Sequence, residues 1–144
     1  MKNQFAERGL PCNLDAERFV LGSILLDCAQ FEDTIGVNGW PVERHVAGDV
    51  EFVFQRKPVG VNQLPYRMIL PLAIDNLLVA GRCASMTHGG QSAARVSGAC
   101  FAMGQAAGTA AHLALLKDAA PRTLDAKVLQ KQLESDGAWL GGDA

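Results

Sequence analysis

Four residues close together in the chain, Gly81, Arg82, Arg95 and Val96, have the types and spacing to hold an anionic, electron-rich ligand. Gly81-Arg82 directly follows the apolar run Leu77-Leu-Val-Ala80. Open α/β sheets put ligands just beyond the carboxyl end of such a strand. The glycine admits close backbone approach and the arginine offers a planar donor fork for phosphate. Arg95-Val96 opens a long small-residue helix, whose free N–H groups and positive dipole end suit an anion or an electron-rich carbonyl. His88, in Met86-Thr-His-Gly-Gly90, is the candidate acid or base. His45 and His112 offer no partner at a recognisable spacing and read as structural.

Placing these groups requires a strand, a turn and a helix. Leu77–Ala80 reads as a central strand covered on both faces. Ala93–Leu116 is uncharged except for Arg95, with His112 as the other group near neutrality, and so reads as one helix buried nearly all round. Gly98, Gly104 and Gly108 weaken an isolated helix, so their expected use is close approach. Upstream, Gly36–Pro41 reads as turn chemistry and Asp49–Arg56 as an alternating strand. Leu64–Pro71, bracketed by prolines, reads as an edge or irregular extended segment. Downstream, Asp125–Asp136 reads as a solvent-facing helix with Val128, Leu129 and Leu133 inward, stopped at Gly137.

The run from Asn76 to Ala111 resembles the C-terminal end of FAD-dependent oxidoreductases of the heterodisulfide-reductase-A-like kind. The shared features, in order, are Leu-Leu-Val-Ala-Gly-Arg-Cys, an isolated His, Arg-Val and Gly-Gln-Ala-Ala-Gly-Thr-Ala-Ala; the likeness spans roughly residues 33–140. It implies an α/β fold: a partial, Rossmann-like FAD-binding domain with a few strands, a long buried helix and a C-terminal helix, preceded by an N-terminal helix. It also implies that Gly81 and Arg82 lie along the FAD pyrophosphate and ribitol, that Arg95 and Val96 face the flavin N1/O2 edge, and that His88 lies in the loop beside the flavin. The family often has Glu or Ala after that His, where this chain has Gly89 and Gly90.

Residues 1–35 read as a different unit from residues 36–144. Asn13 can cap a helix that carries Ala16, Phe19, Val20, Ser23, Ile24 and Asp27 at helical spacing. From Leu10 to Ile35 the chain resembles the opening of the N-terminal domain of bacterial replicative DNA helicases. That likeness implies an assembly or interaction module, and the nucleotide-binding G-x-x-x-x-G-K-[ST] loop of the helicase is absent from the sequence.

Composition narrows the classes further. The 144 residues are 49% hydrophobic, enough to bury a core, and the net charge of -2 with a pI near 5.9 argues against a nucleic-acid partner. The opening residues, with Lys2, Glu7 and Arg8, point to a cytoplasmic protein and the long helix to a soluble core rather than a membrane. Cys12, Cys28, Cys83 and Cys100 are too dispersed for an iron-sulfur cluster or a zinc site and read as buried free thiols.

The sequence contains no G-x-G-x-x-G, so the expectation is a C-terminal fragment of an FAD-dependent oxidoreductase that contributes one wall of the FAD site. Its expected partners are FAD, an unknown small-molecule or electron-carrier substrate, and a missing N-terminal half or a second copy. The alternatives are the helicase-type module and an inactive truncated fusion product.

Overall fold

The computed structural model describes residues 31–46, 48–53 and 61–141. The expected N-terminal helix, Cys12, Cys28 and the side chain of His45 lie outside the described residues. Among the described residues four strands and three helices form a mixed α/β fold: β1 (Thr34–Asn38), β2 (Val42–Val46), β3 (Asp49–Val53), β4 (Asn62–Pro65), α1 (His88–Ala94), α2 (Ser97–Leu116) and α3 (Ala126–Ser135). The strands pair antiparallel as two separate ribbons, β1 with β4 and β2 with β3. Gly48, at φ +94°, supplies the left-handed backbone that a tight β2–β3 hairpin needs.

The core is a sandwich of β1, α2 and α3, with Ile35, Ile69, Met103, Leu129 and Leu133 fully buried. One stripe of α2 (Ala99, Met103, Ala106, Ala110, Leu113 and Ala114) faces inward. Its alanines let β1 approach closely, and the tightest point is Gly36, where an added Cβ would stand 3.0 Å from the Ala102 Cβ. The register of β1 against β4 slips at this point, between Thr34 and Gly36. Downstream, Asp125 caps α3 by accepting from the Lys127 N–H at 2.9 Å. Val128, Leu129 and Leu133 pack inward, and Gly137 ends the helix at φ +87°, all as expected.

Several expectations are corrected. Leu77–Ala80 is not a strand: no described strand lies beside it, Val79 donates a single N–H to the Ile69 carbonyl at 2.9 Å, and Leu77 is exposed. An apolar run without a ladder partner stays irregular. Gly36-Val-Asn belongs to β1 rather than to a turn, because its backbone is claimed by β4. Within Leu64–Pro71, residues Tyr66–Ile69 wind into a 3-10 turn whose start is tied to Asp33: its carbonyl accepts from the Tyr66 N–H at 2.7 Å and its carboxylate from the Arg67 N–H at 3.0 Å. Of the strand expected over 49–56, Asp49–Val53 forms as β3 with Val50 and Phe52 half exposed, and residues 54–56 lie outside the described residues.

The long helix is divided, with α1 ending at Ala94 and α2 starting at Ser97, and it is not buried all round. Phe101, Leu115 and Leu116 are 76%, 82% and 69% exposed. A Cβ added at Gly98, Gly104 or Gly108 would meet nothing within 4 Å. These glycines therefore face outward, and the close approach expected of them is made by Gly36 on the strand side. By length and composition α2 could cross a membrane; one stripe of it packs on β1 and α3.

The packing sets two expected outcomes. Gly36→Val should lower thermal stability by about 1–3 kcal/mol through overpacking against Ala102. Gly108→Ala should raise it by up to about 1 kcal/mol through helix propensity. Equal melting temperatures for the two variants would contradict this placement of the close contact.

Tyr66, buried at 3% exposure, donates its hydroxyl to the Pro121 carbonyl at 2.8 Å, and burial pushes its pKa from 10.0 up to about 12. A phenol that holds its proton more tightly when folded stabilises fully below pH 10 and loses that contribution as pH rises from 10 towards 12. Denaturant titrations should show stability falling across that window in the parent. Tyr66→Phe should cost about 1 kcal/mol at neutral pH and flatten that alkaline slope.

Candidate functional site

The break between α1 and α2 organises the site. In a continuous helix the Ala93 and Arg95 carbonyls would accept from the N–H groups of residues 97 and 99. Here Asn38 Nδ2, from the end of β1, donates to the Ala93 carbonyl at 3.0 Å, and Arg82 Nε donates to the Arg95 carbonyl at 3.1 Å. The Cys100 thiol points at the Ala94 and Arg95 carbonyls, 3.9 and 3.6 Å away. With these acceptors taken, Val96 turns extended (φ -71°, ψ 155°) and α2 starts afresh. Its first ladder bond runs from the Cys100 N–H to the Val96 carbonyl at 3.1 Å.

The new N-terminus has no side-chain cap, because the N-cap residue is Val96. Ser97 and Gly98 are exposed, and the space in front of Gly98 is open. The unpaired N–H groups of the first turn, with a dipole equivalent to roughly half a positive charge, therefore face solvent. Gly81, at φ +75°, opens a 3-10 turn over Gly81–Cys83 that packs on α2 beside Cys100. Arg82, exposed on that turn, joins it to the helix break. Gln91 Nε2, on α1, returns a bond to the Arg82 carbonyl at 3.3 Å. The structure thus brings Gly81, Arg82, Arg95 and Val96 together around one helix start.

Arg95 is engaged. Its guanidinium pairs with the Glu43 carboxylate of β2 at 2.5 Å, and Glu43 also accepts from Trp40 Nε1 at 2.8 Å. As the C-cap of α1, Arg95 also sits at the negative end of that helix, which offsets the cost of a cation near the start of α2. Glu43 further ties β2 to α1, its N–H donating to Ser92 Oγ at 3.1 Å. The sequence did not signal Asn38 and Glu43 as parts of the site, because both act across more than 50 residues of chain.

His88 stands apart. It is the first residue of α1, exposed, and about 10 Å along the helix from Arg95. Thr87 caps this helix, its Oγ1 accepting from the Gly90 N–H at 3.0 Å. His112 is exposed on α2. Among the described residues no group of three His, Cys, Asp or Glu side chains converges to hold a metal ion. Cys83 is exposed and Cys100 half-buried, both as free thiols, which corrects the expectation that they are buried.

A sequence profile described as FAD dependent oxidoreductase matches residues 15–133, most of the chain. The chain belongs to that family. No curated protein and no solved structure matches it. The turn, the uncapped helix start and the open space before Gly98 present backbone N–H donors and a guanidinium on one surface, donor chemistry that suits an anionic or electron-rich group such as the FAD of this family.

Thr87→Ala should cost about 1 kcal/mol through loss of the cap, and Thr87→Ser should retain most of it. Chemical denaturation of both variants checks this, and an unchanged midpoint in Thr87→Ala would mean that α1 is held by its side bonds alone.

Proposed function

We propose that this chain supplies the flavin-side wall of the FAD site in an oxidoreductase of the heterodisulfide-reductase-A-like kind. One observation carries the reading: the uncapped start of α2 opens beside the Gly81-Arg82 turn, so ring-edge donors and a phosphate-binding cation share one surface. The motif order from Leu77 to Ala111 supports the narrower family assignment. The bound cofactor would supply hydride or electron transfer through its flavin ring.

The chain's own groups would bind and orient. The N–H groups of Ser97 and Gly98 would stabilise negative charge at the N1/O2 edge, and the α2 dipole adds to them because the charge of Arg95 is balanced by Glu43. Gly81 would let the backbone approach the ribitol, and Arg82 would meet the pyrophosphate. His88 would serve a substrate-side proton transfer only if the substrate reaches along α1 from the helix break. The adenosine half would be held by residues outside this wall, since the sequence has no G-x-G-x-x-G turn. A helicase-type assembly module would continue as a helical bundle beyond residue 35, whereas the described residues that follow first form two antiparallel ribbons of strands.

Flavin fluorescence tests the reading. The isolated chain should bind FAD with a Kd above about 1 µM, since one wall gives only part of the full contact energy. FMN should compete more strongly than ADP, which shares only the pyrophosphate. Arg82→Ala should weaken binding roughly tenfold, the worth of one charge-assisted phosphate contact. Competition by ADP with none by FMN would overturn the assignment of the flavin side.

A further inference from the structure

One backbone torsion separates α1 and α2 from a single helix. Arg95 stays right-handed at φ -77°, ψ -8°, and the Val96 φ of -71° is also helical. The departure is the Val96 ψ of 155°, where a helix has about -42°. With that torsion helical, the Ser97, Gly98 and Ala99 N–H groups would donate to the Ala93, Ala94 and Arg95 carbonyls. With it extended, the helix gives up these three bonds, and Ser97 and Gly98 carry their donors on exposed residues.

Each of the three carbonyls meets a side chain instead. Asn38 Nδ2 lies 3.0 Å from the Ala93 carbonyl, Cys100 Sγ 3.9 Å from that of Ala94 and Arg82 Nε 3.1 Å from that of Arg95. Asn38 is the buried member of the trio, 5% exposed, and its amide has a fixed orientation. Its Oδ1 accepts from the Trp40 N–H at 3.2 Å; a backbone N–H can only donate, so Nδ2 is the end that faces Ala93. Across the ribbon, Asn38 pairs with Asn62 of β4, whose Nδ2 donates to the Trp40 carbonyl at 3.0 Å. The strand end is therefore anchored before it reaches the helix break.

We propose that Asn38 is a positioning residue for the helix-start site. It keeps the Val96 torsion extended, and so keeps the Ser97 and Gly98 N–H groups available, from beneath the break and without contact to the ligand. A buried carbonyl must be paired, and the Ser97 N–H is the donor that a helical Val96 brings to Ala93. Without the Asn38 amide, that pairing closes the donor set. That the released donors receive a flavin rests on the proposed FAD site, whereas their release by Asn38 does not.

Amide hydrogen exchange of the whole chain without FAD tests the release. In the parent, Ser97 and Gly98 should exchange near the unprotected rate. In Asn38→Leu, close in size but without a donor, both should slow at least roughly tenfold, the worth of one backbone hydrogen bond. If that variant does not fold, Asn38→Val, smaller and suited to a strand, carries the same expectation. Adding Ser97→Pro should return Gly98 to the parent rate. Proline is favoured at the first helical position, follows an extended residue and offers Ala93 no N–H. Parent-like or faster exchange of Ser97 and Gly98 in a folded Asn38 variant would overturn the proposal. FAD fluorescence is the second arm, and affinity should fall roughly tenfold in the same variant. Unchanged FAD affinity in a variant whose amides have slowed would also overturn it. A parent that fails to bind FAD, with the amides behaving as expected, would remove the flavin reading and leave the role of Asn38 at the break standing.

Discussion

Two side chains decide where the long small-residue helix stops and restarts. Asn38 and Arg82 take the Ala93 and Arg95 carbonyls that a continuous helix would have used for itself. The Ala93 acceptor is buried and must be paired, and either partner satisfies it. With both acceptors occupied from outside, the helix loses nothing by breaking, and Val96 becomes the entry to a second helix. The break ties β1, the Gly81–Cys83 turn and α1 to the start of α2, and it leaves that start uncapped. Position, donor supply and accessibility of the candidate site all descend from these two bonds.

The second constraint is distance. β1 approaches α2 so closely that a Cβ at position 36 would stand 3.0 Å from the Ala102 Cβ, and the facing stripe is mostly alanine with Met103 between. Small residues contribute little apolar area each, so the core depends on the larger side chains stacked beside them: Ile35 and Ile69 at the strand end, and Leu129 and Leu133 from α3. The outward face of α2, with Phe101, Leu115 and Leu116, is left uncovered among the described residues.

Local signals were legible in the sequence wherever the chain settles its own geometry. Asp125, Gly137 and the inward leucines define α3 within a residue or two, and the small-residue run marks α2. The Gly81-Arg82 and Arg95-Val96 pairs do meet. What stayed hidden depends on partners far along the chain. The apolar run Leu77–Ala80 has strand composition, yet composition cannot supply a neighbouring ladder. Gly36 looks like a turn residue until β4 claims its backbone. The glycines of α2 have the spacing of close packing, but which face a helix presents to its sheet is decided by the whole core, and here that face is chosen by Ala99, Met103 and Ala106. Glu43, which neutralises Arg95, has no sequence signature beyond being an acid in a strand.

The central claim is that the exposed first turn of α2 receives an electron-rich ring edge. Backbone amide shifts of the labelled protein, followed as FAD is added, report on it residue by residue. The account predicts that Gly81, Ser97 and Gly98 move together and saturate together, while Lys117 and Ala119, at the opposite end of α2, stay still. Saturable shifts confined to other parts of the chain, with Ser97 and Gly98 unmoved, would contradict it.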